Sequence, residues 1–188
     1  MDAVAENLCT TPTSLRCLAA LRDLTGEVGG PMERHSLRVV LLAGELARLG
    51  GHDVDQEVLV CAGLLHDIGL YPGAATKAAY VTDGRRLTES MLGDAGWAPE
   101  RVRLAADAVE HHHELRPQWA LGTEVELMRK ADLIEVSHGL VSCGVSKAFR
   151  SDLLARLPRK GFVGEVARGL GRALRERPAS LWRIAKPV

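Results

Sequence analysis

The 188-residue sequence has few aromatic residues (4%) and no excess of charge, since 24 Lys and Arg balance 24 Asp and Glu with seven His counted as neutral. Scarce aromatics beside ordinary contents of Gly (19) and Pro (8) exclude collagenous, mucin-like and aromatic-stacking repeat architectures. Zero net charge argues against a wholesale nucleic-acid binder. The longest apolar run, Val58 to Leu65, falls far short of the ~18 residues that a membrane-spanning helix requires, so no membrane partner is expected. The start of the chain, Met1-Asp2-Ala3-Val4-Ala5-Glu6, lacks the basic and apolar regions of a secretory signal, which makes a reducing cytoplasm the expected compartment. Cys9, Cys17, Cys61 and Cys143 form no C-x-x-C pair and no zinc-finger spacing. They read as structural, Cys61 inside an apolar run and Cys9 and Cys17 open to exposure.

Runs of alternating β-branched residues are also missing, whereas apolar residues recur at helical spacing nearly everywhere. With 46% hydrophobic and 26% charged residues, the expectation is one all-α domain over residues 1–188, a bundle of seven to eight helices. The pattern places them at Ser14 to Leu24, Pro31 to Leu49, Asp53 or Asp55 to Gly69, Arg85 to Ala95, Pro99 to His113, Glu124 to Gly139, Lys147 to Leu157 and Val163 to Arg177. Charge is unevenly distributed along this path. Residues 156–188 hold nine Lys and Arg against two Asp and Glu, a net of +7, which leaves −7 for residues 1–155. The basic end reads as a solvated face whose apolar stripe packs on the body.

Candidate chemistry begins at His35, which heads a one-sided stripe continued by Val39, Leu42, Leu46 and Leu49 and therefore points inward. An inward histidine is an ordinary core residue once its ring has one or two hydrogen-bond partners, so alone it identifies nothing. The next helix is apolar on all sides from Val58 to Leu65 and runs into His66-Asp67. A carboxylate at the end of a buried helix needs a partner: a cap, a hydrogen bond to His66, or a divalent cation. A further acid, Asp132, lies among apolar residues in Leu127-Met128-Arg129-Lys130-Ala131-Asp132-Leu133-Ile134, where Arg129 is the alternative partner. Two imidazoles and two carboxylates make a mixed donor set suited to a divalent transition metal with positions left open for water.

The order His35, then Ala62-Gly63-Leu64-Leu65-His66-Asp67-Ile68-Gly69, then Lys130-Ala131-Asp132 resembles the H…HD…D signature of the HD-domain superfamily of metal-dependent phosphohydrolases, over about residues 31–140. The resemblance implies an all-helical HD fold and one divalent metal (Zn, Fe, Mn, Co or Ni) held by His35, His66, Asp67 and Asp132. It also implies hydrolysis, most often of nucleotide phosphate esters. Between these elements, Val109-Glu110-His111-His112-His113-Glu114 is similar to the I-x-x-H-H-E stretch of many HD proteins, where the histidines bind a second metal or face the substrate. Relatives with two metals carry another histidine before a glycine, but here that place reads Tyr80-Val81-Thr82-Asp83-Gly84, and no histidine occurs between His66 and His111. One metal is therefore expected, with Asp83 read as a helix cap.

An ion with open positions lowers the pKa of its water toward about 7 and so provides a nucleophile at neutral pH. Asp67 is the candidate to orient that water, and His112 or His113 to stabilise developing charge or protonate a leaving group. For an anionic substrate, Lys77, Arg86 and Lys130 are the candidate phosphate partners, each equally explicable as surface charge. His52 and His138 are not read as ligands. The leading expectation is thus a metal-dependent phosphohydrolase acting on a nucleotide or other phosphorylated small molecule. Asp83-Gly84 with a helix after it, together with Arg129-Lys130-Ala131-Asp132 followed by Val136-Ser137-His138-Gly139, also looks like the cyanamide-hydratase-like branch of the superfamily, which implies a small non-phosphate substrate. A non-catalytic ligand-sensing module is the third reading. A homodimer is compatible with a small helical enzyme, though no feature of the sequence demands one.

Overall fold

The computed structural model describes residues 3–76 and 78–176. Among these there are nine α-helices: α1 (Ala3–Leu8), α2 (Pro12–Thr25), α3 (Pro31–Gly50), α4 (Gln56–Leu65), α5 (Tyr80–Asp94), α6 (Pro99–His111), α7 (Thr123–Val136), α8 (Lys147–Arg156) and α9 (Phe162–Glu176). A short 3-10 turn, Ile68–Leu70, lies between α4 and α5. No strand occurs among the described residues, in agreement with the all-α expectation, and no helix is long and apolar enough to cross a membrane.

Local chemistry sets the ends of the helices that matter for the site. Pro31 occupies the first turn of α3, where a missing N–H costs nothing, and Gly51 closes the helix in the left-handed conformation. Asp55 caps α4 by accepting from the N–H groups of Glu57 and Val58. Every residue from Val58 to Leu65 is buried, so α4 is the central helix, enclosed by α2, α3, α6 and α7. α3 also packs on α7, α5 pairs with α6, and α9 returns across α3 and the 3-10 turn.

Several boundaries differ from the sequence expectation. α4 stops at Leu65 instead of running to Gly69, because the chain tightens into the 3-10 turn. α5 begins at Tyr80 instead of Arg85, so Asp83 is no cap. Its buried carboxylate accepts from the N–H and the hydroxyl of Thr76, at 2.7 and 2.6 Å, and so pins the loop to the first turn of α5. α7 ends at Val136, where His138 (φ 55°) and Gly139 (φ 78°) reverse the backbone. α1, which shows no marked periodicity in sequence, is an additional helix. Cys9 and Cys17 are buried along with Cys61. The end of the basic segment, beyond Glu176, lies outside the described residues, as does Lys77.

Candidate metal centre

Four elements converge on one point. α3 contributes His35 from its second turn, the end of α4 contributes His66 and Asp67, α7 contributes Asp132, and the end of α6 contributes His112 and His113. His35, His66, Asp67, Asp132 and His112 are all buried, while His113 keeps 31% of its side chain exposed. His111 points away from this group and lies 3.8 Å from Glu114.

Proton positions follow from the partners. His66 Nδ1 is 2.8 Å from the Gly63 carbonyl and His112 Nδ1 is 2.6 Å from the Val109 carbonyl. A carbonyl only accepts, so both Nδ1 atoms donate and both neutral rings present an Nε2 lone pair to the interior. His35 Nδ1 faces Glu135 at 3.8 Å, too far for a hydrogen bond but close enough for the carboxylate to favour a proton on that nitrogen. In that tautomer His35 Nε2 also carries a lone pair, and it lies 3.0 Å from His66 Nε2. Two lone pairs at that separation repel unless something positive lies between them.

The acids complete the set. Asp67 Oδ2 is 3.5 Å from His35 Nε2 and 3.4 Å from His66 Nε2, and Asp132 Oδ1 is 3.5 and 3.8 Å from the same two atoms. Donors bound at about 2.0–2.1 Å around a tetrahedral first-row ion are about 3.3 Å apart, which matches this range. Neither oxygen of the buried Asp132 receives a hydrogen bond; His113 Nδ1 comes within 3.0 Å of Oδ2 but off the donor axis. A buried carboxylate without donors needs a cation. The residues therefore fit a divalent metal.

Electrostatics agrees. Burial raises the Asp67 carboxyl, but His66 and His112 outweigh it and hold the group well below the usual carboxylate range. Burial works against a charged His66, yet the Asp67 and Asp132 carboxylates raise that imidazole to about 9, so the pocket demands positive charge. His112 behaves oppositely. Burial, reinforced by His113, lowers it to about 4, and its Nε2 lies 3.6 Å from Asp67 Oδ1 and 3.4 Å from the Tyr80 hydroxyl. His112 is therefore a neutral acceptor at neutral pH.

The mouth of the cluster is a cavity of about 330 Å³. Asp67 and His113 form its polar floor, and Leu70, Tyr80, Val136, Phe162, Val163, Val166 and Ala167 its walls, with His138 also on the lining. A second cavity of about 400 Å³ also reaches the cluster, lined by Asp132, His112 and His113 together with Arg129, which is held by two 2.8 Å hydrogen bonds to Glu126. Of the expected phosphate partners, Arg86 donates to the Ala74 carbonyl, and Lys130 sits over the Trp119 ring (4.6 Å) beside Glu126. Neither lines these cavities, because both project from outer helix faces, and Lys77 lies outside the described residues.

Sequence reasoning missed a group behind the site. The buried Arg38 donates from Nε to Glu135 at 2.7 Å and from Nη1 to the Leu157 carbonyl at 2.9 Å, while Arg159 closes on Glu135 at 2.8 Å. Spacing carried a signal, since Arg38 stands one turn after His35 and Glu135 one turn after Asp132. Phe162, whose ring stacks on His35 at 4.2 Å, gave none.

This helical bundle brings two imidazoles and two carboxylates from three of its helices close enough together that they could hold a metal ion. A model of the HD domain matches residues 32–137, more than half of the chain, and the chain belongs to that family. No curated protein matches the sequence.

Proposed function

We propose that this protein is a metal-dependent hydrolase or hydratase that adds water to a small, uncharged substrate, using one divalent transition metal held by His35, His66, Asp67 and Asp132. The observation that carries the choice of substrate is the cavity wall: among the described residues, no Lys or Arg lines the 330 Å³ cavity beside Asp67. A phosphate ester brings charge that such a wall does not offset, since Arg38 and Arg159 are held by Glu135 and Arg129 by Glu126. That weakens the phosphohydrolase reading relative to the cyanamide-hydratase-like one.

The metal, when bound, supplies Lewis acidity and a water acidified toward neutral pH. With the metal held by these residues, Asp67 would orient the attacking water with whichever oxygen is not a ligand. His113, the imidazole exposed to the cavity, delivers a proton to the leaving or newly anionic atom. His112 remains neutral and accepts from Tyr80. The aliphatic walls keep bulk water away and strengthen these interactions.

Metal-reconstituted protein offered cyanamide, short nitriles and amides beside p-nitrophenyl phosphate and nucleoside monophosphates tests the reading. Turnover in the neutral set, lost on Asp67→Ala, is expected; turnover of phosphate esters alone overturns it.

A further inference from the structure

We propose that α9, which lies beyond the HD match, is the specificity element of the site, and that Val163 and Val166 form an apolar subsite for a hydrocarbon group carried by the substrate. The inference rests on the metal-centre reading above and adds which part of the substrate is recognised, and by what.

The fastening of this helix is the first observation. The segment leading into α9 is tied to α3, the helix that supplies His35. Arg34 donates to the carbonyls of Pro158 and Lys160 at 3.0 and 2.7 Å, and Arg38 to that of Leu157 at 2.9 Å. Gly161 (φ 86°) lies against Pro31, where an added Cβ would come within 2.8 Å of the proline ring. Phe162 then stacks on His35 with 22° between the ring planes. Further along, Tyr71 donates to Glu165 at 3.1 Å, and the helix packs on Leu70 at Gly169. α9 thus has a fixed register over the site and is no solvated appendage.

What it presents there is the second observation. Between the anchors Phe162 and Glu165, Val163 is 63% exposed although it lines the cavity shared with Asp67. Val166, one turn on from Phe162, lines the same wall. The arginines Arg168, Arg172 and Arg175 line a different depression, so the basic face of α9 is turned away from the cavity. An aliphatic side chain kept at a wet mouth, with the charges directed elsewhere, recognises an alkyl or small aryl group. A volume of about 330 Å³ lies at the lower end of the range for small-molecule sites and suits a short chain.

A hydroxamate series separates the subsite from the metal centre. Co²⁺-loaded protein is titrated with acetohydroxamate, butyrohydroxamate and hexanohydroxamate, following the visible absorption of the metal. All three perturb the spectrum of the wild type, and Kd tightens by about 2- to 4-fold per added methylene. In Val163→Asp, chosen because the exposed position tolerates charge, and in Val166→Ala, the gain with chain length is at least halved, with acetohydroxamate as the reference in each protein; Val166→Leu restores it. Equal slopes in wild type and variants, or no gain in the wild type while acetohydroxamate still binds, would overturn the subsite and leave the metal reading standing. No spectral response to acetohydroxamate would overturn both.

Discussion

His35 and His66, 31 positions apart in sequence, bring their Nε2 atoms to 3.0 Å of each other inside the protein, with the Asp67 and Asp132 carboxylates beside them. The Gly63 carbonyl commits the proton of His66 to Nδ1, so its Nε2 lone pair faces His35 and is met either by a proton on His35 Nε2 or by a cation. A proton is the weaker solution, because it leaves Asp132 without a donor.

Metal removal should therefore destabilise the fold measurably. A ligand present at a thousand times its Kd contributes about 4 kcal/mol, and 1 kcal/mol moves Tm by about 2–4 °C in a chain of this size, so a chelator is expected to lower Tm by about 10 °C. Asp132→Asn and His66→Ala should lose most of that chelator sensitivity together with bound metal measured by elemental analysis. His113→Gln should retain the metal. A melting temperature indifferent to chelator in metal-loaded wild type would contradict the assignment of the cluster.

Glu135 supports the centre from behind, and its carboxylate is shared among Arg38, Arg159 and the neighbourhood of His35. Removing one partner of a buried ion pair costs about 3–5 kcal/mol because the other charge is left uncompensated. Arg38→Met and Glu135→Gln should each destabilise by on the order of 3 kcal/mol, and the double variant by clearly less than their sum. Glu135→Gln should also weaken metal affinity in chelator competition, because the carboxylate that favours a proton on His35 Nδ1 is lost. Additive losses in denaturant melts would show that the pair does not act as a unit.

The donor set was legible in sequence because each member is marked locally: His35 by the stripe it heads, His66-Asp67 by the apolar helix before it, and Asp132 by apolar flanks. Helix type and approximate spans were legible for the same reason. What lay hidden depends on contacts between distant segments. Arg38 reaches the Leu157 carbonyl across 119 positions, and Phe162 meets His35 from a segment that read only as basic. The pattern places the start of α5 too late because Asp83-Gly84 suggests a cap, whereas Thr76 claims the carboxylate and allows the helix to begin at Tyr80.

Gly69 is required by close approach and not by backbone sign. An added Cβ would lie 1.9 Å from the Tyr80 carbonyl oxygen and 3.0 Å from the Gly84 nitrogen, both backbone atoms that cannot rotate away. The 3-10 turn and the first turn of α5 are in contact at this point, directly beside Asp67 and Tyr80. Gly69→Ala should cost about 3 kcal/mol, at the upper end for overpacking, and should weaken metal binding as well. Gly93→Ala, on the same α5 with nothing within 4 Å of its added Cβ, is the control and should be neutral or slightly stabilising. Equal melting midpoints for the two variants would remove the steric explanation.

Glu126 contributes to the acid sensitivity of the fold away from the metal. Its side chain is fully buried and accepts twice from Arg129 at 2.8 Å and once from the Gln118 N–H at 2.7 Å. Burial raises its carboxyl, but these donors outweigh burial and hold the group below its usual value. A carboxyl lowered in the folded state binds fewer protons there than in the unfolded chain around and below pH ~4.3, so its contribution is complete above that pH and is lost as pH falls through the folded value. Urea melts of the metal-free protein between pH 7 and pH 3 should show stability falling below about pH 4.5. Glu126→Gln should be less stable at pH 7 by on the order of 2–3 kcal/mol yet show a shallower fall, because one titrating group has gone while Arg129 keeps a neutral acceptor. An identical acid slope in the variant would place the acid sensitivity in the other lowered carboxyls, Asp67, Asp132, Glu135 and Asp55, instead.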